Sequence, residues 1–173
     1  MRVVLVEPEI PPNVGNAARL CAATGSSLHV VGPVSFRMDD RALRRAGLDY
    51  WPLVNVRVHD GFDAFLASLP AGSPPPLLFS ARAPRSYLRA PWAPGGSLVF
   101  GKESTGLPAE LLCRFADRVR GIPMAGFVRS LNLANAAAVI LFEALRALGA
   151  LEPAGLDAPA AGPPQLSPDP EFG

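Results

Sequence analysis

The sequence predicts an α/β fold, a single domain on a parallel sheet, and three observations carry that prediction. Short apolar runs alternate with helix-patterned segments, the pattern that consecutive βαβ units leave in a chain. The length, 173 residues and 18.2 kDa, suits one domain with one core. Hydrophobic residues make up 49% and charged residues 18%, a balance that can bury a core rather than stay disordered.

Taken in order, residues Arg2–Glu7 read as a buried strand. Asn13–Thr24 reads as a helix, with Asn13 placed to cap its start and Gly25 standing just past its end. Ser27–Val31 is the second strand, and Asp39–Ala46 a short arginine-rich helix stopped by Gly47. Val54–Val58 is a third strand. Asp60–Leu69 is a helix whose Asp60 and Asp63 suit its first turn. Residues 70–76 (PAGSPPP) are a stiff connector, because a strand pattern resumes at Leu77–Ala81.

Arg82–Gly96 mixes arginine, proline and a tryptophan without periodicity, which predicts a long functional loop. Ser97–Phe100 is a strand, Pro108–Phe115 a helix, Arg118–Ile122 the last strand and Leu133–Leu148 an apolar closing helix. The domain is thus expected to span residues 1–149. Residues 150–173 hold six of the twenty prolines, and a disordered Pro/Ala-rich tail is expected there.

Several classes of function are excluded. The most apolar uncharged stretch, Leu133 to Phe142, has about ten residues where a membrane helix needs ~20. The first residues reach Glu7 after four apolar ones and lack a cleavage-site pattern, so no signal peptide is expected. Two cysteines, Cys21 and Cys113, form neither a disulfide framework nor a metal knuckle, and read as buried apolar residues of a cytoplasmic protein. His29 and His59 stand alone in the sequence, so no metal site is expected. The net charge of +1 hides an asymmetry: four acids and no base from Leu151 onward leave +5 on the rest, enough for a local basic field.

Three segments can carry chemistry. In the first, Glu7-Pro-Glu-Ile-Pro-Pro-Asn13-Val-Gly-Asn16-Ala-Ala-Arg19, a strand end passes through a proline-rich turn into a helix. Ligands of open α/β sheets gather at such strand ends. Spacing alone fits a helix cap and a solvated arginine equally well. The second, Gly96-Ser-Leu-Val-Phe-Gly101-Lys102-Glu103, is one residue from a P-loop. That reading fails, because a strand fills the space between the glycines and Glu103 stands where a magnesium-binding hydroxyl is needed. What survives is a glycine-bracketed turn, Gly101 to Gly106. In the third, Arg129-Ser130-Leu131-Asn132 lead into the apolar closing helix, where Ser130 or Asn132 serves equally as a cap.

Together the segments N-x-G-N-x-x-R, F-G-x-E-x-x-G-L-P, and I-P-M followed by S-x-N-L-x-N-A resemble the three motifs of the SPOUT superfamily of RNA methyltransferases. They are most similar to its minimal branch, the tRNA wobble-position 2′-O-methyltransferases, over residues 1–149. The resemblance implies S-adenosyl-L-methionine as cofactor, a C-terminal trefoil knot, tRNA as substrate and a homodimer. It places Arg19, Ser130, Asn132, Asn13 and Glu103 in the catalytic polar set, and Ala81, Gly101, Ile122, Ser130 and Leu131 against the cofactor. Ala81 matches in position while its flanking residues differ. Arg41, Arg44 and Arg45, with Arg82, Arg85 and Arg89, are the expected RNA-binding arginines. Gly126-Phe127-Val128 departs from the family pattern, standing where a more polar sequence is usual. Other readings are methylation of another RNA such as rRNA, a catalytically silent RNA-binding dimer, and the disfavoured nucleotide-binding P-loop protein.

Overall fold

A computed structural model describes residues 1–34, 36 and 53–151. The expected helix at 39–46, with Arg41, Arg44 and Arg45, and the expected tail beyond residue 151 lie outside these residues. Six strands form one sheet: β1 Arg2–Val6, β2 Ser27–Val31, β3 Val56–His59, β4 Leu77–Phe79, β5 Ser97–Phe100 and β6 Val119–Arg120. Their order is β3-β2-β1-β5-β4-β6, and every pairing is parallel. Helices α1 Pro11–Thr24, α2 Phe62–Ala67, α3 Ala109–Arg114 and α4 Leu133–Ala147 cover both faces.

Side-chain alternation along the central strand explains the layers. Val3 and Leu5 face one way, with Leu28, Val30, Leu98 and Phe100, against α1 (Val14, Ala17, Ala18, Cys21) and α4 (Ala137, Ile140, Leu141, Ala144). Val4 and Val6 face the other way, with Val31, Leu78 and Val99, against Phe62, Phe65, Leu107 and Leu111. Fully buried residues such as Ile140 and Leu141 each contribute about 1.5–3 kcal/mol. Helix α4 is therefore anchored by its apolar stripe, and its N-terminus is held at one edge of the sheet. Past its end, the Ala150 amide bonds the Leu145 carbonyl and Leu151 packs on the same core.

The structure corrects several expectations. Helix α1 begins at Pro11, because two prolines with preset φ and no N–H to satisfy start a helix well. Asn13 is therefore not its cap: it lies inside the first turn with its side chain buried. Gly25 ends the helix in the left-handed conformation, as expected (φ 62°). Strand β3 starts two residues later than expected, since Leu28 pairs with Val56 and Val54 leaves the ladder for the core. Helix α2 is shorter at both ends, beginning after an extended Gly61 and ending before Ser68. Strand β6 shrinks to two residues because the Gly121 amide bonds the Arg85 carbonyl, and the Gly121 carbonyl accepts from the Tyr87 amide. The long loop after β4 is thereby sewn to the end of β6, and includes a 3-10 turn at Tyr87–Arg89.

Cys21 is buried but Cys113 is exposed, since Leu111 points α3 inward and a residue two places on faces away. The histidines are not alone. His29 Nδ1 lies 2.9 Å from His59 Nε2 on the neighbouring strand, Ser27 Oγ lies 3.1 Å from His29 Nε2, and Phe65 meets both rings edge-on.

Burial, reinforced by His59, Arg57 and Arg2, pushes the His29 pKa down to about 4. His59 is also lowered, by burial and Arg57, against the opposing Asp60. An unfolded His29 takes up a proton near its ordinary 6.5, so its contribution is complete above that pH and is lost as pH falls from 6.5 toward 4. His29→Phe is expected to lose less melting temperature between pH 7.5 and 5 than the parent chain. Equal losses in the two, measured by thermal denaturation, would remove His29 from this account.

Candidate active site

The chain winds outward from β1 to β3 on one side of the sheet and places β5, β4 and β6 on the other. That reversal falls between β1 and β5, and a crevice for a ligand is expected outside their carboxyl ends, the place where open α/β sheets take ligands. Arg2 to Leu5 pair in register with Ser97 to Phe100, so residues after Val6 and after Phe100 emerge side by side. The first two motif segments, some 90 residues apart in the chain, therefore meet.

At this edge the polar side chains form one directed series. Asn132 is the N-cap of α4, its Oδ1 accepting from the amides of Ala134 (3.0 Å) and Asn135 (3.3 Å). That leaves its Nδ2 to donate, and it donates to Asn13 Oδ1 at 2.9 Å. Asn13 must then donate onward, and its Nδ2 reaches Glu103 Oε1 at 2.6 Å. The second Glu103 oxygen accepts from the Glu9 amide at 2.8 Å. Backbone amides at the helix start thus set the orientation of both asparagines. Asn13 is only 4% exposed, and these two bonds satisfy its buried amide. Asn132 is exposed, with a second N–H beyond the one given to Asn13. Capping and site-building are here one role of Asn132.

Gly101 makes the turn after β5 feasible. A side chain there would overlap the carbonyl of Gly106 and the amide of Leu107. The turn closes through the Gly106 amide on the Lys102 carbonyl (2.9 Å), with Gly106 at φ +78°. Two latches join it to the segment after β1. Lys102 Nζ donates to Glu7 Oε2 at 3.0 Å, and the Ser104 amide and hydroxyl donate to Glu9 at 3.0 and 2.9 Å. The hydrogen bond and charge of Glu7 raise the Lys102 pKa. Sequence reasoning missed Glu7, Glu9, Lys102 and Ser104. Their signal was weak: two acids and the one lysine, each just past a strand.

Ala81, Gly101 and Ile122 follow β4, β5 and β6, three adjacent strands about 4.8 Å apart. The Ser80 amide on the Arg120 carbonyl (3.0 Å) holds two of those ends together. Ser130 and Leu131 lie exposed on the loop from β6 to α4. Among the described residues, the backbone of residues 123–131 makes no hydrogen bond, which leaves a run of donors and acceptors beside the crevice. Among the same residues there is no histidine, cysteine and carboxylate group fit to hold a metal ion, and no helix long and apolar enough to cross a membrane.

Residues 1–142 match the SpoU rRNA Methylase family. The chain belongs to the SpoU methylase family. It is 48% identical over 152 residues to a tRNA (cytidine(34)-2′-O)-methyltransferase of Burkholderia ambifaria, covering 85% of this chain and 95% of that one. It superposes with a TM-score of 0.79 and 49% identity on a solved structure described as structural insights into the 2-OH methylation of C/U34 on tRNA, covering 86% of this chain and 95% of that one. An AdoMet-bound rRNA methyltransferase from Sinorhizobium meliloti superposes with a TM-score of 0.74 at 28% identity, covering 85% of this chain and 56% of that one.

Of the polar residues expected from the sequence, the structure unites Asn13, Glu103 and Asn132 through hydrogen bonds. Arg19 stands apart from them. It lies six residues beyond Asn13, about 9 Å along α1, exposed and about a third of a turn around. Arg82 and Arg85 are exposed on the loop after β4, and Arg85 Nη1 meets the carboxylate and carbonyl of Asp117 at 3.4 Å.

The directed series makes Asn13→Asp an informative substitution. It removes the donor to Glu103 and sets a second carboxylate against it, which costs about 1–3 kcal/mol at pH 7.5. Like charges raise the folded pKa of one acid, so the folded variant takes up a proton first and regains stability as pH falls. Urea denaturation should show the deficit shrinking toward pH 4.5; a deficit independent of pH would contradict a carboxylate at this contact.

Proposed function

We propose that this chain transfers a methyl group from S-adenosyl-L-methionine to the ribose 2′-OH of the wobble nucleotide, position 34, of tRNA. The observation that carries the reading is the contact of Asn13, Glu103 and Asn132 at one crevice, in a chain 48% identical to a wobble-cytidine methyltransferase over 95% of its length. Methylation of rRNA is the weaker reading, since the rRNA relative is more distant and this chain spans about half of it.

The donor set fits the cofactor: Gly101 has no side chain, Ala81 and Ile122 offer backbone groups at neighbouring strand ends, and Ser130 and Leu131 offer theirs on the loop into α4. These residues would hold it. When bound, S-adenosylmethionine supplies a methyl group on a sulfonium, ready for in-line displacement by an oxygen. Ser130 and Asn132 align the ribose hydroxyl, with Asn13 and Glu103 keeping the Asn132 amide in one orientation. Alignment of that kind is worth several kcal/mol. Arg19 is a clamp on phosphate and hydroxyl rather than a base, because a guanidinium stays charged. Glu103 is a positioning residue, both of its oxygens already accepting within the protein.

Arg41, Arg44, Arg45, Arg82 and Arg85 supply the RNA-binding charge. The Arg85–Asp117 pair is exposed and worth little, so a phosphate displaces it easily. A homodimer is part of the reading, since Val139 and Phe142 of α4 are 37% and 46% exposed opposite its buried stripe. Light scattering at low micromolar concentration should give twice the chain mass, and a monomer would refute this part. The fold knot, the cytoplasmic location and a tail dispensable beyond Leu151 belong to the same reading.

Mass spectrometry of RNase fragments of tRNA from a strain lacking this chain should show the 2′-O-methyl group lost at position 34 and restored by the parent gene. In single-turnover methyl transfer, Arg19→Ala and Arg19→Lys should both lose at least about tenfold in rate with cofactor affinity unchanged, because lysine cannot reproduce the bidentate fork. Near-normal rates in Arg19→Ala would refute the clamp; unmodified position 34 with methylation elsewhere would move the substrate.

A further inference from the structure

The loop from β6 to α4 carries a side chain that neither the core nor the crevice uses. Phe127 is 111% exposed, more open than in an extended reference, and Val128 beside it is 63% exposed. Gly126 on its other side has nothing within 4 Å of where a side chain would stand. A ring left in water on both faces gains nothing from this fold.

We propose that Phe127 is a stacking platform for a nucleobase flanking the reacting nucleotide in a single-stranded stretch of RNA. Position argues for it. Phe127 is five residues before Asn132, so the two Cα atoms lie no more than about 18 Å apart, within reach of a neighbouring nucleotide. Arg129, exposed two residues on, supplies a cation for the adjoining phosphate. The composition argues for it too. Arg129, Ser130 and Asn132 follow the tip, whose open apolar side chains, Phe127 and Val128, are fewer than the contiguous apolar area a protein partner needs. Unstacked bases of RNA loops are recognised on such rings, and each base has a face to offer. The inference rests on the RNA reading above and adds a specificity-determining residue to it.

The test uses the full chain and a labelled RNA stem-loop bearing the target nucleotide, followed by equilibrium binding and by methyl transfer against RNA concentration. Phe127→Ala should weaken binding and raise the half-saturating RNA concentration about 5- to 100-fold, the range one stacked base supports. Cofactor affinity and chain mass by light scattering should stay as in the parent. Phe127→Trp should restore binding while Phe127→Leu should not, since leucine keeps apolar area without a flat ring. An abasic residue beside the target should cost the parent chain the same factor, and cost Phe127→Ala nothing more. Unchanged binding by Phe127→Ala, full rescue by leucine, or a loss of dimer mass in Phe127→Ala would each overturn the proposal, the last by assigning the ring to a second copy of the chain. A parent chain that binds the RNA without methylating it would overturn the function above, while the binding series still decides the role of Phe127.

Discussion

The parallel pairing of β1 with β5 is the constraint on which the rest of the molecule depends. It brings together segments about 95 residues apart in the chain and sets them residue for residue, Arg2 with Ser97 through Leu5 with Phe100. Because both strands run the same way, whatever follows them leaves the sheet at the same edge. The turn after β5 is then tight enough to require glycine at 101, and close enough to the segment after β1 for two carboxylates to latch it. A slip of one residue would reverse which side chains of β5 face α1 and α4, so the core and the crevice share one register.

Helix α4 links stability to chemistry. Its buried stripe ties it to the sheet, and two of its N-terminal amides, which every helix must satisfy from outside, are satisfied by the Asn132 side chain. The direction imposed there runs through Asn13 to Glu103 without a free choice at either amide. A carboxamide has one accepting and one donating end, so fixing the first fixes the rest. The site is thus ordered by the start of a helix that the core holds in place.

The same edge also explains which groups stay available. Side chains that build the crevice are spent on one another, whereas the loop into α4 keeps its backbone groups and its aromatic tip uncommitted. Loops at the carboxyl edge of a parallel sheet can be left open in this way because the strands and helices beneath them carry the folding energy. Rigid polar anchors and an uncommitted loop therefore lie beside each other at Asn132.

Much of the architecture was legible in the chain itself. Apolar runs marked all six strands, two of them to the residue, and burial on both faces demands such runs in β1, β2, β4 and β5 whatever the topology. Gly25, Gly101 and Gly106 were readable as punctuation, and the three motif segments already contained Asn13, Glu103 and Asn132. Sequence by itself did not determine what those residues do to one another. Asn13 as a cap was a sound local reading, overturned by the two prolines before it. His29 and His59, thirty residues apart, became a pair only when β2 and β3 aligned. The latches of Glu7 and Glu9 needed β1 beside β5. Local pattern records what each segment must bury, while strand order decides which segments meet; the contacts of Asn13 with Glu103, of His29 with His59 and of Glu7 with Lys102 are consequences of the second.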